Sequence, residues 1–307
     1  MNHAPSQPSP AHGHNHGHEH GNHHGHAHTH THAHSHAPET DSQAEILDLD
    51  AEVLAEHTAS ITAWLPLETS PRHIVDLGAG TGAGTFALLE RFPDAQVTAV
   101  DASGEHLRRL QEKAGALGVE ERVHTVRADL DEASWPDLGS PDLVWASASM
   151  HHMAHPDRAL RNVHEALASG GLFAVVELAG HPRFLPGNAP EERPGLEERA
   201  HAAADRRQAE HMPHRGADWG PMLIAAGFTV EGERTLSVHL DGAHSEAIGR
   251  YATGVLQRIR SAVADALAPG DLAALDALLD SEGPHSILRR DDLTVRTERT
   301  VWAARRA

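Results

Sequence analysis

No cysteine occurs among the 307 residues, which excludes disulfides, iron–sulfur clusters, thiolate zinc sites and a cysteine nucleophile. Lysine is nearly absent as well: Lys113 is the only one, and arginine supplies every other side-chain cation. With 25 Lys and Arg against 44 Asp and Glu, the formal charge is −19 when histidine is neutral, a value that partial protonation of 29 histidines reduces near neutral pH. An acidic surface argues against a nucleic-acid binder, which needs clustered Lys and Arg to meet phosphates. Apolar runs of the ~18 residues needed to span a bilayer are missing, and no apolar stretch of the signal-peptide kind follows the N-terminus. The expectation is a cytoplasmic protein with neither a membrane nor a nucleic-acid partner.

What is abundant is histidine, and half of it is concentrated at one end. Residues 1–41 carry almost no large apolar side chain and read as a disordered, His-rich tail, because nothing in them offsets the conformational entropy of folding. Beyond His3, the imidazoles of His12, His14, His16, His18, His20, His23, His24, His26, His28, His30, His32, His34 and His36 sit at a density suited to exchangeable capture of Zn²⁺ or Ni²⁺, and of Co²⁺ or Cu²⁺. The plainer reading is a solubilising tail with adventitious metal affinity. A metal-binding protein that uses this tail, with the rest of the chain as a cofactor-sensing scaffold, is the alternative to an enzyme.

From residue 42 onward the chain reads as one domain. A helix is expected from about Ser42 to Leu65, stopped by Pro66. Strands and helices then alternate in the rhythm of a parallel sheet covered on both faces. Strands are expected at His73–Leu77, Gln96–Val100, Val123–Arg127, Asp142–Ala146 and Leu172–Leu178. Intervening helices end near Phe92, run from Ser103 to Leu117, and run from Pro156 to Ala168. Residues 180–215 are rich in Pro, Glu, Arg and His. They read as a lid, as does the 42–65 helix, and acceptor specificity is assigned to both. Helices at Leu196–His211, Trp219–Ala226, Ser245–Leu267 and Asp271–Leu279 accompany two late strands. Those strands, Phe228–Leu240 with an interruption near Gly232 and Leu293–Ala303, no longer follow the parallel rhythm and are expected to pair antiparallel.

The first strand runs into Val75-Asp76-Leu77-Gly78-Ala79-Gly80-Thr81-Gly82. Glycines let the backbone turn tightly and approach a ligand, while Asp76 sets the charge that ligand should carry. A pyrophosphate would be repelled there and an ammonium or sulfonium attracted. The loop also satisfies the loose Gly-x-Gly-x-x-Ala dinucleotide pattern through Gly78, Gly80 and Ala83, so the glycines alone leave NAD open. Charge disfavours it. The next two strands end in Asp101 and Asp129, and in an open α/β sheet ligands bind beyond the carboxyl ends of the strands. Asp101, 19 residues past Gly82, stands near the offset at which an acidic residue meets a ribose diol. Asp129 is suited to an exocyclic amine of a base. Taken singly, each of these aspartates is as readily a turn former or a helix cap.

These motifs, together with Ala128-Asp129-Leu130 and Asp142-Leu143-Val144-Trp145, resemble the class I S-adenosylmethionine-dependent methyltransferases over residues 72–178. The resemblance implies a Rossmann-like, mostly parallel seven-stranded sheet with a reversed final hairpin and helices on both faces. It also implies S-adenosyl-L-methionine as cofactor, with its methionine part near Asp76, Gly78, Ala79, Gly80 and Gly82. Ribose is then expected at Asp101 and Ala102, adenine at Asp129 and Leu130, and Ser147 at the edge of the same site.

Methyl transfer from a sulfonium is an in-line displacement that needs alignment, exclusion of water and, for some acceptors, a base. The fourth strand exits through Ser147-Ala148-Ser149-Met150-His151-His152-Met153, where the transferred methyl should lie. His152 is the first candidate base and His151 the second; either imidazole also suits a purely loop-shaping role. Met150 and Met153 read as packing residues, and Glu177 as either an acceptor contact or a structural partner. His181, His201, His211 and His214 are numerous enough for a site but read more simply as scattered surface histidines. The reading is a methyltransferase acting on a small molecule, with the acceptor and the oligomeric state left open.

Overall fold

The computed structural model describes residues 37–209, 211–243 and 245–307. Seven strands form one sheet: β1 His73–Leu77, β2 Gln96–Asp101, β3 Val123–Arg127, β4 Leu143–Ser147, β5 Leu172–Leu178, β6 Thr229–Asp241 and β7 Thr294–Arg305, in the spatial order β3-β2-β1-β4-β5-β7-β6. The first five run parallel. β7 is antiparallel to both β5 and β6, so the last two strands form the reversed pair. Strand order turns back between β1 and β4, which opens a crevice at their carboxyl ends.

Alternation along each strand sorts its side chains onto two buried faces, as expected for a sheet covered on both sides. One face packs Ile74, Val97, Leu143, Trp145 and Ala174 against α2 (Ala55–Trp64) and α3 (Ala83–Arg91). The other packs Val75, Val100, Val144, Phe173 and Trp302 against α5 (Pro156–Ala166) and α7 (Gly220–Ala225). α4 (Gly104–Ala116) starts at Ser103, whose hydroxyl accepts the His106 N–H at 3.2 Å, an N-cap that satisfies one otherwise orphaned donor. A third apolar cluster packs on the far part of the sheet through Val238 of β6 and Val295 of β7. In it, α1 (Ala37–Val53), α6 (Leu196–Gln208), α8 (Glu246–Ala262) and α9 (Pro269–Leu279) pack around Leu54, Phe184, Tyr251 and Leu256 to form a cap.

Several expectations change. α1 begins at Ala37, so residues 37–41, read as part of the tail, are helical. The single helix over 42–65 is instead two, divided at Leu54, whose backbone leaves the helical region (φ −106°, ψ 16°) while its side chain is fully buried in the cap cluster. The 180–215 lid holds less helix than expected, since α6 ends at Gln208. It also shares the cap with α8 and α9, which sequence reasoning had not placed there. The interruption near Gly232 is a bulge between Val230 and Gly232 on β6. A Cβ on Gly232 would stand 2.9 Å from the Trp64 ring, so the strand gives way where that indole packs.

Gly84 brings α3 close to the sheet: a Cβ there would fall 2.5 Å from Trp145 Nε1 and 3.1 Å from Asp76 Oδ2. Gly84→Ala should therefore push α3 outward and cost about 1–3 kcal/mol, the usual range for overpacking. Chemical denaturation of the variant measures this, and unchanged stability would contradict the close packing.

Candidate active site

The glycine loop turns on three left-handed residues, Gly78 (φ +68°), Gly80 (φ +55°) and Gly82 (φ +100°). Each serves a different neighbour. A Cβ on Gly78 would lie 2.4 Å from Ser149 Cβ, and the Ser149 hydroxyl donates to the Leu77 carbonyl at 2.8 Å, which ties the β4 exit to the β1 exit. Gly80 faces α1, with Leu47 Cδ1 3.3 Å from the place a Cβ would take. Gly82 differs from its expected role. It is outside the cavity wall and starts α3 against Phe86 and Leu110, at 2.5 and 3.0 Å from an added Cβ, so helix packing accounts for this glycine.

A cavity of about 440 Å³ lies along the carboxyl edge of the sheet, and its wall contains Asp76, Gly78, Ala79, Gly80, Asp101, Ala102, Asp129, Leu130, Ser147, His151 and His152. All the other expected cofactor contacts and both candidate bases thus meet in one place. Asp101 Oδ2 accepts the Gly80 N–H at 2.8 Å, and Oδ1 accepts the Ser103 N–H at 2.8 Å. Burial raises its pKa, but hydrogen bonding and the charge of nearby His106 (Nδ1 3.4 Å away), with these two N–H groups, outweigh it and leave the carboxyl below its usual range. Asp129 is exposed and bends the chain through a 2.9 Å bond from the Asp131 N–H. Asp131 in turn accepts the N–H groups of Ala154 and His155, so the β3 exit holds the end of the β4 exit loop. Asp76 is 2% exposed and accepts a 2.7 Å bond from Thr85 Oγ1. Burial, helped by the charge of Asp101 and opposed by Thr85, raises its pKa to about 7.

The β4 exit is conformationally strained: Ala148, in the cavity wall, has φ +52°, uncommon for a residue with a side chain. A short 3-10 turn over Met150–His152 follows, organised by Glu177 from β5. Glu177 Oε1 accepts the backbone N–H groups of Met150 and His151, at 2.8 and 3.2 Å, while Oε2 lies 2.5 Å from His151 Nδ1. Both side chains of this pair are buried. Glu177 is therefore a positioning residue for the loop. Met150 and Met153 are packed in the sheet's core, as their pattern suggested, although Met153 also reaches the cavity. The His152 ring tilts over that of His151 with centroids 4.2 Å apart. It opens onto the cavity, yet withdrawal from bulk water, ahead of the charges of His151, Arg215 and Arg258, pushes its pKa down to about 4.

The cap closes the cavity with two helical faces. α1 presents Gln43, Ile46, Leu47 and Asp50; α8 presents Tyr251, Val255, Arg258 and Ile259. Both sets follow helical spacing. Asp50 accepts from Tyr251 Oη at 2.5 Å and from Arg299 Nη2 at 2.7 and 2.8 Å, which joins α1, α8 and β7. The single lysine holds the same helix from the other side, since Lys113 Nζ pairs with Asp48 and donates to the Thr81 carbonyl at 3.2 Å. The 42–65 helix was expected to act as a lid, but the residues that fasten it, Asp48 and Asp50 with Tyr251 and Arg299, were not singled out from the sequence. Their partners are far along the chain, and no local pattern marks them.

The remaining histidines are not all scattered on the surface, since His201 is 2% exposed. His181 lines the cavity and His201 packs edge-on against it at 5.8 Å, whereas His214 lies 6.2 Å from Trp219. No group of three His, Asp or Glu among the described residues is arranged to hold a metal ion. The tail histidines, His12 to His36, lie outside the described residues. Among the described residues no helix is long and apolar enough to cross a membrane.

A family model described as a methyltransferase domain matches residues 75–173, the span from the glycine loop to β5. A trans-aconitate 2-methyltransferase of Methylobacterium nodulans is 30% identical over 189 residues, covering 61% of this chain and 68% of that protein. Another, from Acidovorax sp., is 38% identical over 106 residues, covering 34% of this chain and 38% of its own length. A demethylmenaquinone methyltransferase of Thermus thermophilus is 34% identical over 119 residues, or 39% and 53% of the two chains. The chain thus spans about two fifths of the Acidovorax protein and about half of the Thermus one. In fold it matches a solved Bacillus halodurans protein assigned as a methyltransferase, with a TM-score of 0.52 at 16% identity over 81% of this chain and 98% of that one. This chain belongs to the class I S-adenosylmethionine-dependent methyltransferases.

The raised pKa of Asp76 has a direct consequence for stability. Its carboxyl titrates near 3.8 when unfolded and at about 7 when folded, so the native state holds the proton more tightly. The stabilisation from that proton is complete below about pH 4 and is lost as pH climbs to about 7, reaching about 4 kcal/mol at most. Asp76→Asn removes the titration and should gain stability relative to the parent across that window. Denaturation of both proteins from pH 4 to 8 tests this, and a constant difference would contradict the assignment.

Proposed function

We propose that the protein transfers the methyl group of S-adenosyl-L-methionine to a small-molecule acceptor within this one cavity. The observation that carries the reading is the continuity of the cavity wall from three strand-end aspartates to the His151–His152 turn and on to the cap. The residues present suit the cofactor. Asp101 has a free lone pair on each oxygen beyond its loop bonds and suits a ribose diol. Asp129 and the apolar Leu130 suit an adenine amine and ring. Asp76, whose carboxyl titrates at about 7, would be held ionised by an ammonium beside it, and the close backbone at Gly80 leaves room for the amino-acid part. Bound there, the cofactor would supply an electrophilic methyl on a sulfonium.

The chain's own contribution is alignment, dryness and a proton acceptor. With Glu177 ionised, His151 Nδ1 carries the proton and donates to it, which leaves Nε2 as the basic nitrogen of a ring in the cavity wall. His152, with its lowered pKa, stays neutral at pH 7 and can accept a hydrogen bond beside it. His151 thus serves as base and His152 as a neutral acceptor contact, the reverse of the ranking drawn from the sequence. Relatives named as methyltransferases of a small molecule, the trans-aconitate enzymes, support a small-molecule acceptor. The region 42–307 then acts as one methyltransferase domain, with 72–178 as its cofactor core.

Titration calorimetry with S-adenosylhomocysteine tests the cofactor assignment. Saturable binding is expected, weakened about tenfold or more by Asp101→Asn, since a charge-assisted bond to the ribose and one loop bond are lost. Unchanged affinity in a variant with a normal thermal melt, or preferential binding of NADH, would overturn it.

A further inference from the structure

The two ends of the cavity carry opposite charge. Asp76, Asp101 and Asp129 line the end beneath β1 to β3, whereas Arg215 and Arg258 stand in the wall formed by the cap. In an acidic protein whose arginines commonly pair with carboxylates, these two do not: no carboxylate among the described residues lies within 4 Å of either guanidinium. Arg215 is instead held by neutral groups, donating to Gln208 Oε1 and lying 2.9 Å from His181 Nε2. Arg258 has no side-chain hydrogen bond or ion pair to any described residue, and it projects from the cavity face of α8 between Val255 and Ile259. Burial lowers the pKa of Arg215, and the charge of Arg258 adds to that, while the more distant carboxylates of Asp205 and Glu177 oppose it. Arg215 is partly withdrawn from water beside Arg258, which is exposed and carries no ion pair, so a bound anion would relieve their repulsion and the burial cost at Arg215.

The neutral histidines beside them fit the same picture. His181, His201 and His152 all have lowered pKa values, to about 4, 3 and 4, with burial the first cause and arginine charge contributing. At neutral pH they add hydrogen-bonding capacity without adding charge. The positive charge in this wall is therefore fixed, carried by Arg215 and Arg258. Around them the surface is apolar, with Leu178, Pro182, Met212, Val255 and Ile259.

We infer that the methyl acceptor is a small organic oxyanion, a carboxylate or a phosphate monoester, whose charged group is received by Arg258 and Arg215 while its apolar body lies along the cap wall towards His151. This rests on the proposed methyltransferase reading and names the acceptor class of the same site. Arginine is suited to the task because its planar fork meets carboxylate and phosphate oxygens in pairs. The opposite polarity of the two ends also keeps the substrates apart: an anionic acceptor is repelled from the aspartates, and a sulfonium from the arginines.

The test uses the full chain with three probes of similar shape: phenylacetate, phenyl phosphate and the neutral phenylacetamide. Each is titrated by calorimetry with and without saturating S-adenosylhomocysteine. At least one anionic probe should bind about tenfold or more tightly than the amide, with a preference that weakens as salt rises. Whichever anion binds better identifies carboxylate or phosphate as the source. Arg258→Gln, on an exposed helical position, should erase the preference, and Arg258→Lys should restore part of it. Equal binding of acid and amide, no binding of any probe, or a preference that survives in both Arg258→Gln and Arg215→Gln would overturn the inference. Failure of S-adenosylhomocysteine to bind counts instead against the methyltransferase reading, and the probe titrations without it still report on the arginines.

Discussion

Both oxygens of Asp101 are committed before any ligand arrives, one to the Gly80 N–H in the loop after β1 and one to the Ser103 N–H at the head of α4. This carboxylate fixes the distance between two strand exits. Neighbouring contacts extend the same arrangement across the sheet: Ser149 bonds the Leu77 carbonyl, Glu177 gathers the N–H groups of Met150 and His151, and Asp131 holds Ala154 and His155. Every strand exit on the parallel side is tied to its neighbour by a side chain bonded to backbone. A rigid carboxyl edge of this kind is what pre-organised binding requires, since groups already held in place lose little freedom when a ligand docks.

Besides its apolar contacts with Val238 and Val295, the cap is fastened to that edge by charge. Asp50 sits between Tyr251 and a buried Arg299, and Asp48 reaches Lys113 beside the glycine loop. Removing one partner from such a cluster leaves an uncompensated charge, so these contacts specify where α1 lies more than they add net stability. Because the same helix carries Ile46 and Leu47 into the cavity wall, its placement also determines how much water the cavity admits. Stability and function are thus coupled through α1.

The parallel core was legible because its determinants are local. Apolar runs such as Leu172–Leu178 end at glycines or aspartates, and Asp76, Asp101 and Asp129 announce themselves by standing at strand ends. The bulge at Gly232 was readable for the same reason. What escaped was whatever depends on distant partners. Asp50 is 249 residues from Arg299, and nothing near either residue signals the pairing. Gly82 was assigned to the ligand because it shares a motif with Gly80, while its actual neighbours, Phe86 and Leu110, are visible only in three dimensions. Which imidazole Glu177 holds could not be read either, since only the fold brings Glu177 to His151. Arg215 and Arg258, on separate segments of the cap, became a feature only once the fold brought both into one wall.

The central claim is that one cavity receives the cofactor at its acidic end and the acceptor at its basic end. A crystal structure of the protein with S-adenosylhomocysteine tests it most directly. The account predicts ribose at Asp101, adenine between Asp129 and Leu130, the amino-acid part beside Asp76 and Gly80, and the sulfur facing the His151–His152 turn. S-adenosylhomocysteine bound at the Arg215–Arg258 wall, or a sulfur directed away from the two histidines, would contradict it.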